Sequence, residues 1–337
     1  MKEKQQTSRR EFLKTCVAGT VVLGASEGLA FAEKAQEVIT ARKSKVVIAT
    51  DASLRTGSGV DPKRALALLD RAMKAYFSTR NPVDPWKKLV RPGQVVGLKV
   101  NTIAGPGLST NRELVAAIAE RLQQAGIKPY DIVIWDRTNR ELQRAGFQLS
   151  SELNKVRCIG TDAPGVGYED ASESFGSVNC RVSKLLTQTC DVVINVPLLK
   201  DHGMAGVTLS LKNMYGVINN PQQCHSNNCN PGVADVAMLP SIRKKVVFTI
   251  ADATTCCYEG GPRFNPQYAW EHNSIIVGHD PVAVDYTGWQ IIDRKRVENG
   301  LKTLEAVGRG PKYIAVAADT NHRLGTNDPK HISLVQA

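Results

Sequence analysis

At 337 residues the chain is long enough for a sizeable core, and its 42% hydrophobic and 22% charged content is that of a globular protein. The formal charge of +11 is scattered in short groups such as Arg243-Lys244-Lys245, which reads as solvated surface and argues against a nucleic-acid partner. No apolar run approaches the ~20 residues of a membrane helix, which excludes a stable span.

In chain order, Ser8-Arg9-Arg10-Glu11-Phe12-Leu13-Lys14 has the pattern of a twin-arginine export signal. A short apolar run at 16–25 and the small-x-small site Ala30-Phe31-Ala32 complete its three-part layout. The expectation is a signal at 1–32, recognition by the twin-arginine translocase and cleavage near Ala32. The mature protein would then work in the periplasm or another extracytoplasmic space. A lead-in covers 33–44, and the main body runs over 45–334 as one domain or two lobes.

The first strand is expected at 45–50, where Val-Val-Ile is bounded by polar residues. Asp61-Pro62 opens a helix whose apolar stripe runs from Ala65 through Leu68, Leu69, Ala72 and Met73 to Tyr76. A strand at 94–100 follows the turn Arg91-Pro92-Gly93. An amphipathic helix covers 111–125, capped by Ser109 or Thr110 and stopped by Gly126. Further strands are expected at 131–135, 190–196, 245–250 and 274–278. Strands alternating with helices predict an α/β fold: a parallel or mixed open sheet with helices on both faces. The irregular stretch 200–232 is too rich in specific residue types for a linker and is expected to be a long functional loop.

Three groups of residues carry candidate chemistry. The strand at 190–196 runs into Pro197 and then presents Lys200, Asp201 and His202 past its carboxyl end, where open α/β sheets bind ligands. Lys200 and Lys212 suit an anionic small molecule, with Thr208 and Asn213 as hydrogen-bonding partners. Second, Cys224, His225, Cys229, Cys256 and Cys257 form a soft-donor set for a metal ion or an iron–sulfur cluster; a disulfide between the two cysteine loops is the competing reading. Seven cysteines remain after the signal, an odd number that cannot all pair within one chain; Cys158, Cys180 and Cys190 read as small core residues. Third, Asp252, Glu259 and Asp285 are expected to converge at the sheet edge for cation binding or acid/base work, with Asp280 capping the helix begun by Pro281.

Together these segments resemble the family catalogued as domain of unknown function 362. The likeness rests on Val-Gly-Leu-Lys-Val-Asn ending at Asn101 and on the helix start Thr110-Asn111-Arg112-Glu113-Leu114. It is strongest in Asn-Val-Pro-Leu-Leu-Lys-Asp-His with Thr208 and Lys212-Asn213-Met-Tyr-Gly216. His225, Asp252, Glu259-Gly-Gly-Pro262 and Asp280-Pro-Val-Ala-Val-Asp285 complete it. Two departures are visible: Lys200-Asp201-His202 stands where the family usually has Lys-Thr-His, and no ferredoxin-like module is present.

The resemblance implies a metal- or iron–sulfur-dependent oxidoreductase, or a redox-accessory protein with a redox partner. His202, His225, Glu259 and Asp285 are its catalytic candidates, and His225, Asp252 and the four cysteines its metal candidates. Two alternatives stay open. One is a hydrolase, epimerase or lyase with structural disulfides, and the other a non-catalytic binder of an anionic ligand. No Gly-x-Ser-x-Gly elbow, P-loop or dinucleotide fingerprint occurs.

Overall fold

A computed structural model describes residues 43–337, so the expected export signal lies outside the described residues. Runs rich in Val and Ile become the strands, since branched side chains fill a pleated, buried surface. These are β1 (Ser44–Thr50), β2 (Val96–Lys99), β3 (Ile132–Asp136), β4 (Arg157–Gly160), β5 (Val192–Asn195), β6 (Leu198–His202), β7 (Gly206–Thr208), β8 (Val246–Cys257), β9 (Ala269–Gly278) and β10 (Ile332–Gln336). They join in one ten-stranded mixed sheet. Its main path is β10-β1-β9-β8-β5-β2-β3-β4, with β6 beside the far half of β8 and β7 outside β6. From β8 to β4 every pairing on that path is parallel, whereas β9 runs antiparallel to both of its neighbours.

The helices that matter here are α1 (Pro62–Phe77), α2 (Arg112–Gln124), α3 (Asn139–Arg144), α4 (Ser210–Asn213), α5 (Pro281–Glu298) and α6 (Tyr313–Ala318). Leu68, Leu69 and Met73 of α1 and Leu114, Ile118 and Leu122 of α2 cover one face, against Leu98, Ile194 and Ile250. On the opposite face Ala283, Val284 and Ile292 of α5 pack on Val46, Ala251 and Ile276. Burying both faces of a parallel sheet in this way is the expected α/β arrangement. Cys158, Cys180 and Cys190 are buried core residues, as their isolated apolar settings imply.

Caps explain where the helices start. Asp61 accepts the amide of Arg64 ahead of Pro62, and Asp280 accepts those of Val282 and Ala283 ahead of Pro281. The cap of α2 is Asn111, which accepts from Glu113 and Leu114, in place of the expected Ser109 or Thr110. Thr110 instead donates to the Val196 carbonyl, fastening the turn after β2 to the end of β5.

β4, β7 and β10 lie where no strand was expected, β9 begins at Ala269, ahead of the expected 274, and β6 and β8 depart in ways that shape the site. β8 continues to Cys257 because the antiparallel β9 pairs along almost its whole length. The residues after Pro197 do not form a loop: Pro197 has no amide to continue the β5 ladder, and the chain restarts as β6, parallel to β8, with Leu198 opposite Asp252 and Lys200 opposite Cys257. The hairpin β6–β7, α4 and the short helical turns Met214–Val217, Pro221–His225 and Ser226–Cys229 therefore order most of what composition suggests is loop.

Candidate functional site

β2, β3 and β5 are adjacent and parallel, so their carboxyl ends reach the same edge of the sheet. Lys99 ends β2, Asp136 ends β3, and β6 rises beside them. Side chains alternate along a strand, so Lys200 and His202 share one face of β6, and the pairing of Lys200 with Thr208 brings the threonine onto that face too. α4 then adds Lys212 and Asn213. These groups line a cavity of about 200 Å³ whose wall also includes Asn101, Arg137, Tyr215, His225 and Pro262. Gly216 closes one side: a Cβ there would lie 2.7 Å from Lys99 Nζ and 2.9 Å from Asp136 Oδ1, so a side chain at 216 would have to displace that pair.

The floor is a polar network with one direction of donation. Lys200 Nζ donates to Asn101 Oδ1 at 2.8 Å, Asn101 Nδ2 to Asn213 Oδ1 at 3.0 Å, and Asn213 Nδ2 to Asn195 Oδ1 at 2.7 Å. Asn195 Nδ2 donates onward to Ser210, whose hydroxyl bonds that of Thr249 at 2.7 Å. Beside it Lys99 Nζ donates to Asp136 Oδ1 at 2.7 Å, and the other oxygen of Asp136 accepts from both the amide and the hydroxyl of Thr102. Arg137 pairs with Glu141. The two carboxylates at the cavity are thus committed, and among the described residues Lys200 and Lys212 pair with no carboxylate. The Thr208 hydroxyl is buried without a hydrogen-bond partner.

The electrostatics follow from burial. Desolvation lowers the Lys200 pKa to about 7, Asp136 opposing and Lys212 and Lys99 adding to the fall. Desolvation lowers Lys212 to about 8, against an upward pull from Cys229 and Cys224. His202 is pushed down to about 2 by burial first and then by Lys212, His225 and Lys200, and His225 is lowered by burial and Lys212. Both rings are neutral at pH 7, and their backbone partners set the tautomers. His202 Nδ1 accepts from the amides of Met204 and Ala205, which leaves the proton on Nε2. His225 Nδ1 lies 2.9 Å from the Pro221 carbonyl and so carries the proton, leaving its Nε2 lone pair toward Lys212 Nζ at 3.3 Å.

His202 also gives a pH prediction. Between its folded value near 2 and its ordinary 6.5, the unfolded chain binds the proton and the folded chain does not. The stability it contributes is therefore complete above pH 6.5 and lost as pH falls. His202→Gln should lose less stability than the parent between pH 6.5 and 5 in paired denaturation curves; parallel losses would refute the assignment.

The expected metal set is not one site. Among the described residues no three His, Cys, Asp or Glu side chains converge as ligands. Cys224 and Cys229 are buried in the cluster that includes Met214 and Tyr215; Cys256 packs with Leu199 and Tyr258, and Cys257 with Leu108 and Leu198. All seven described cysteines are buried free thiols, so the expected disulfide between the two loops is not formed either. At the cavity, His202 offers an N–H and the remaining lone pair of His225 faces an ammonium, so the donor set does not suit a cation.

The expected carboxylate trio is also dispersed. Asp252 is not at a strand end but inside β8, fully buried, accepting from the amides of Asn111 and Thr254. Glu259 pairs with Arg296 and Arg309. Asp285 is fully buried and accepts from the amides of Ser210 and Leu211 at 2.6 and 3.2 Å, pinning the start of α4. None of the three lines the cavity; each holds an element that does, or its neighbour. Of the expected ligand-binding and catalytic residues, Lys200, His202, Thr208, Lys212, Asn213 and His225 do meet there. Lys99, Asn101 and Asp136 complete the site without having been singled out for chemistry; the signal for Lys99 is an ammonium inside the strand Val-Gly-Leu-Lys-Val.

A thylakoid-associated protein of Synechocystis sp. is 32% identical over 143 residues, which is 41% of this chain and 43% of that protein; the matched region is thus under half the length of that relative. A crystal structure of a Thermotoga maritima protein superposes over 73% of this chain and 61% of its own, with 9% identity and a TM-score of 0.36. The profile of the domain of unknown function DUF362 matches residues 96–290, a span holding Lys99, Asp136, Lys200, His202, Lys212 and His225, and the chain belongs to that family.

Proposed function

We propose that the cavity binds a small anion, a carboxylate or phosphate ester, and that this is the centre of the protein's activity. The observation that carries it is the convergence of Lys200, Lys212, the His202 Nε2–H and the unpartnered Thr208 hydroxyl on one cavity in which both carboxylates are already committed. A desolvated cation without a counter-charge is costly, and an incoming anion supplies the missing partner. Charge-assisted hydrogen bonds of this kind contribute about 1.5–3 kcal/mol each. Donors without a gathered set of metal ligands favour the non-redox alternatives over a cluster-dependent reaction.

The test is thermal denaturation of the full chain with phosphate, lactate, pyruvate and glyoxylate, each against chloride at equal ionic strength. At least one should raise the melting temperature in proportion to the logarithm of its concentration. Lys200→Met should weaken that anion's binding roughly tenfold to a hundredfold, the equivalent of one charged hydrogen bond. The sign with pH is fixed. Raising pH through about 7 and then about 8 removes the protons of Lys200 and Lys212, so affinity falls over that interval. No stabilisation by any of the four anions would overturn the reading.

A further inference from the structure

We propose that Lys212 is an amine nucleophile that forms an imine with the carbonyl carbon of a small anionic aldehyde or ketone held in this cavity. The proposal rests on the anion reading and names the substrate class and the reacting atom. Lys212 Nζ lies 3.3 Å from the lone pair of His225 Nε2, and the opposite nitrogen of that ring is fixed by the Pro221 carbonyl at 2.9 Å. Nucleophile, base and orienting group thus stand in sequence, the arrangement by which a weakly nucleophilic side chain is activated. α4 holds the lysine rigidly, since its first two amides end on the buried Asp285.

The groups around the amine fit this role. The Tyr215 ring lies beneath Nζ, 4.0 Å from it, and its hydroxyl is engaged by the Cys224 carbonyl at 2.6 Å. The Cys229 thiol lies near the lysine as well, and burial raises its pKa, which keeps it protonated. Burial also holds Lys212 near 8, so a usable fraction is free amine at neutral pH. Lys200 is not activated in this way: its Nζ donates to Asn101 Oδ1, an acceptor that is not a base. Its place is beside the substrate's anionic group, with Thr208 and His202.

The step balances without an oxidant or reductant. His225 Nε2 takes a proton from the Lys212 ammonium, and the freed lone pair forms a C–N bond as the carbonyl π pair moves to oxygen. The imidazolium returns its proton to that oxygen, giving a carbinolamine. His225 Nε2 then takes a second proton from the carbinolamine nitrogen, whose freed lone pair expels the hydroxyl as the imidazolium protonates it. The carbonyl oxygen leaves as water with two of the three ammonium hydrogens, and a protonated C=N bond remains. Hydrolysis reverses it.

The test is incubation of the full chain with pyruvate or glyoxylate and cyanoborohydride at neutral pH, followed by intact mass and peptide mapping. A single reduced adduct on the peptide carrying Lys212 is expected, absent in Lys212→Arg. His225→Gln should slow labelling by about a hundredfold, the scale of one general base, while retaining the circular dichroism of the parent. Adduct on Lys200, adduct spread over surface lysines, or no adduct would overturn the proposal. Lactate separates the two levels because it has the charge but no carbonyl. Stabilisation by lactate without any adduct leaves the anion reading standing and removes the imine; no adduct, and no stabilisation by any of the four anions, removes both.

Discussion

Asp136→Asn is expected to destabilise the folded chain by about 3–5 kcal/mol, because it leaves Lys99 as an uncompensated cation in the sheet. Lys99 is 1% exposed and Asp136 5%, so water cannot replace the lost partner. The amide oxygen can still accept from Thr102, but its nitrogen then faces Lys99 Nζ and the Arg137 amide, donors that Asp136 Oδ1 now accepts, which adds to the loss of charge. Lys99→Met in the same chain should restore most of the stability, since removing both members of a buried pair is often close to neutral. Denaturant titration of the two single variants and the double closes the cycle. Additive losses would show that the pair is not coupled, against the 2.7 Å contact.

The second large effect is expected at Asp285. Replacing it by Ala strands the amides of Ser210 and Leu211, while the Tyr313 hydroxyl, 3.3 Å from Asp285, keeps the Val207 carbonyl at 3.1 Å as its acceptor. Unsatisfied buried donors cost about 1–3 kcal/mol each, so a loss of about 3–5 kcal/mol is expected. Asp285→Asn should recover part of it. Burial raises this carboxyl to about 7, so near neutrality it is already partly protonated, and the amide oxygen can keep the 2.6 Å bond from Ser210, whereas the Leu211 amide, which bonds the other carboxylate oxygen, loses its acceptor. Stability is read by denaturation, and site integrity by anion-induced stabilisation, which Asp285→Ala should abolish because Lys212 and Asn213 sit on the helix it releases. Normal anion binding in that variant would disprove the positioning role.

The architecture was readable because strand and helix periods are local properties. The runs Val-Val-Ile after Lys45 and Ile-Val-Ile after Asp131 announce their strands, and Asp61-Pro62 and Asp280-Pro281 announce their helices. Lys200, His202, Thr208, Lys212 and Asn213 were legible as one site because they fall within a short stretch that folds as a hairpin and a helix. Lys99, Asn101 and Asp136 arrive from other strands, and only the parallel order of β5, β2 and β3 brings them in. Asp252, Glu259 and Asp285 misled for the opposite reason. Carboxylates near strand ends suggest chemistry, but a buried carboxylate is equally a fastener for backbone amides, and only its partners distinguish the two. The cysteines behave likewise: closeness in sequence does not turn side chains on a strand toward those of a distant loop.

The chain of amides beneath the cavity has a consequence for how the site responds to its surroundings. Its first donor is Lys200, and a lysine can donate whether it is an ammonium or an amine. Asn101, Asn213 and Asn195 therefore keep the same orientation when that proton leaves, and the rotatable hydroxyls of Ser210 and Thr249 absorb any adjustment at the far end. Titration changes the charge of the chamber while its outline stays the same. A guest refused at high pH is turned away by lost attraction alone, and acidification restores its welcome without any refolding of the walls.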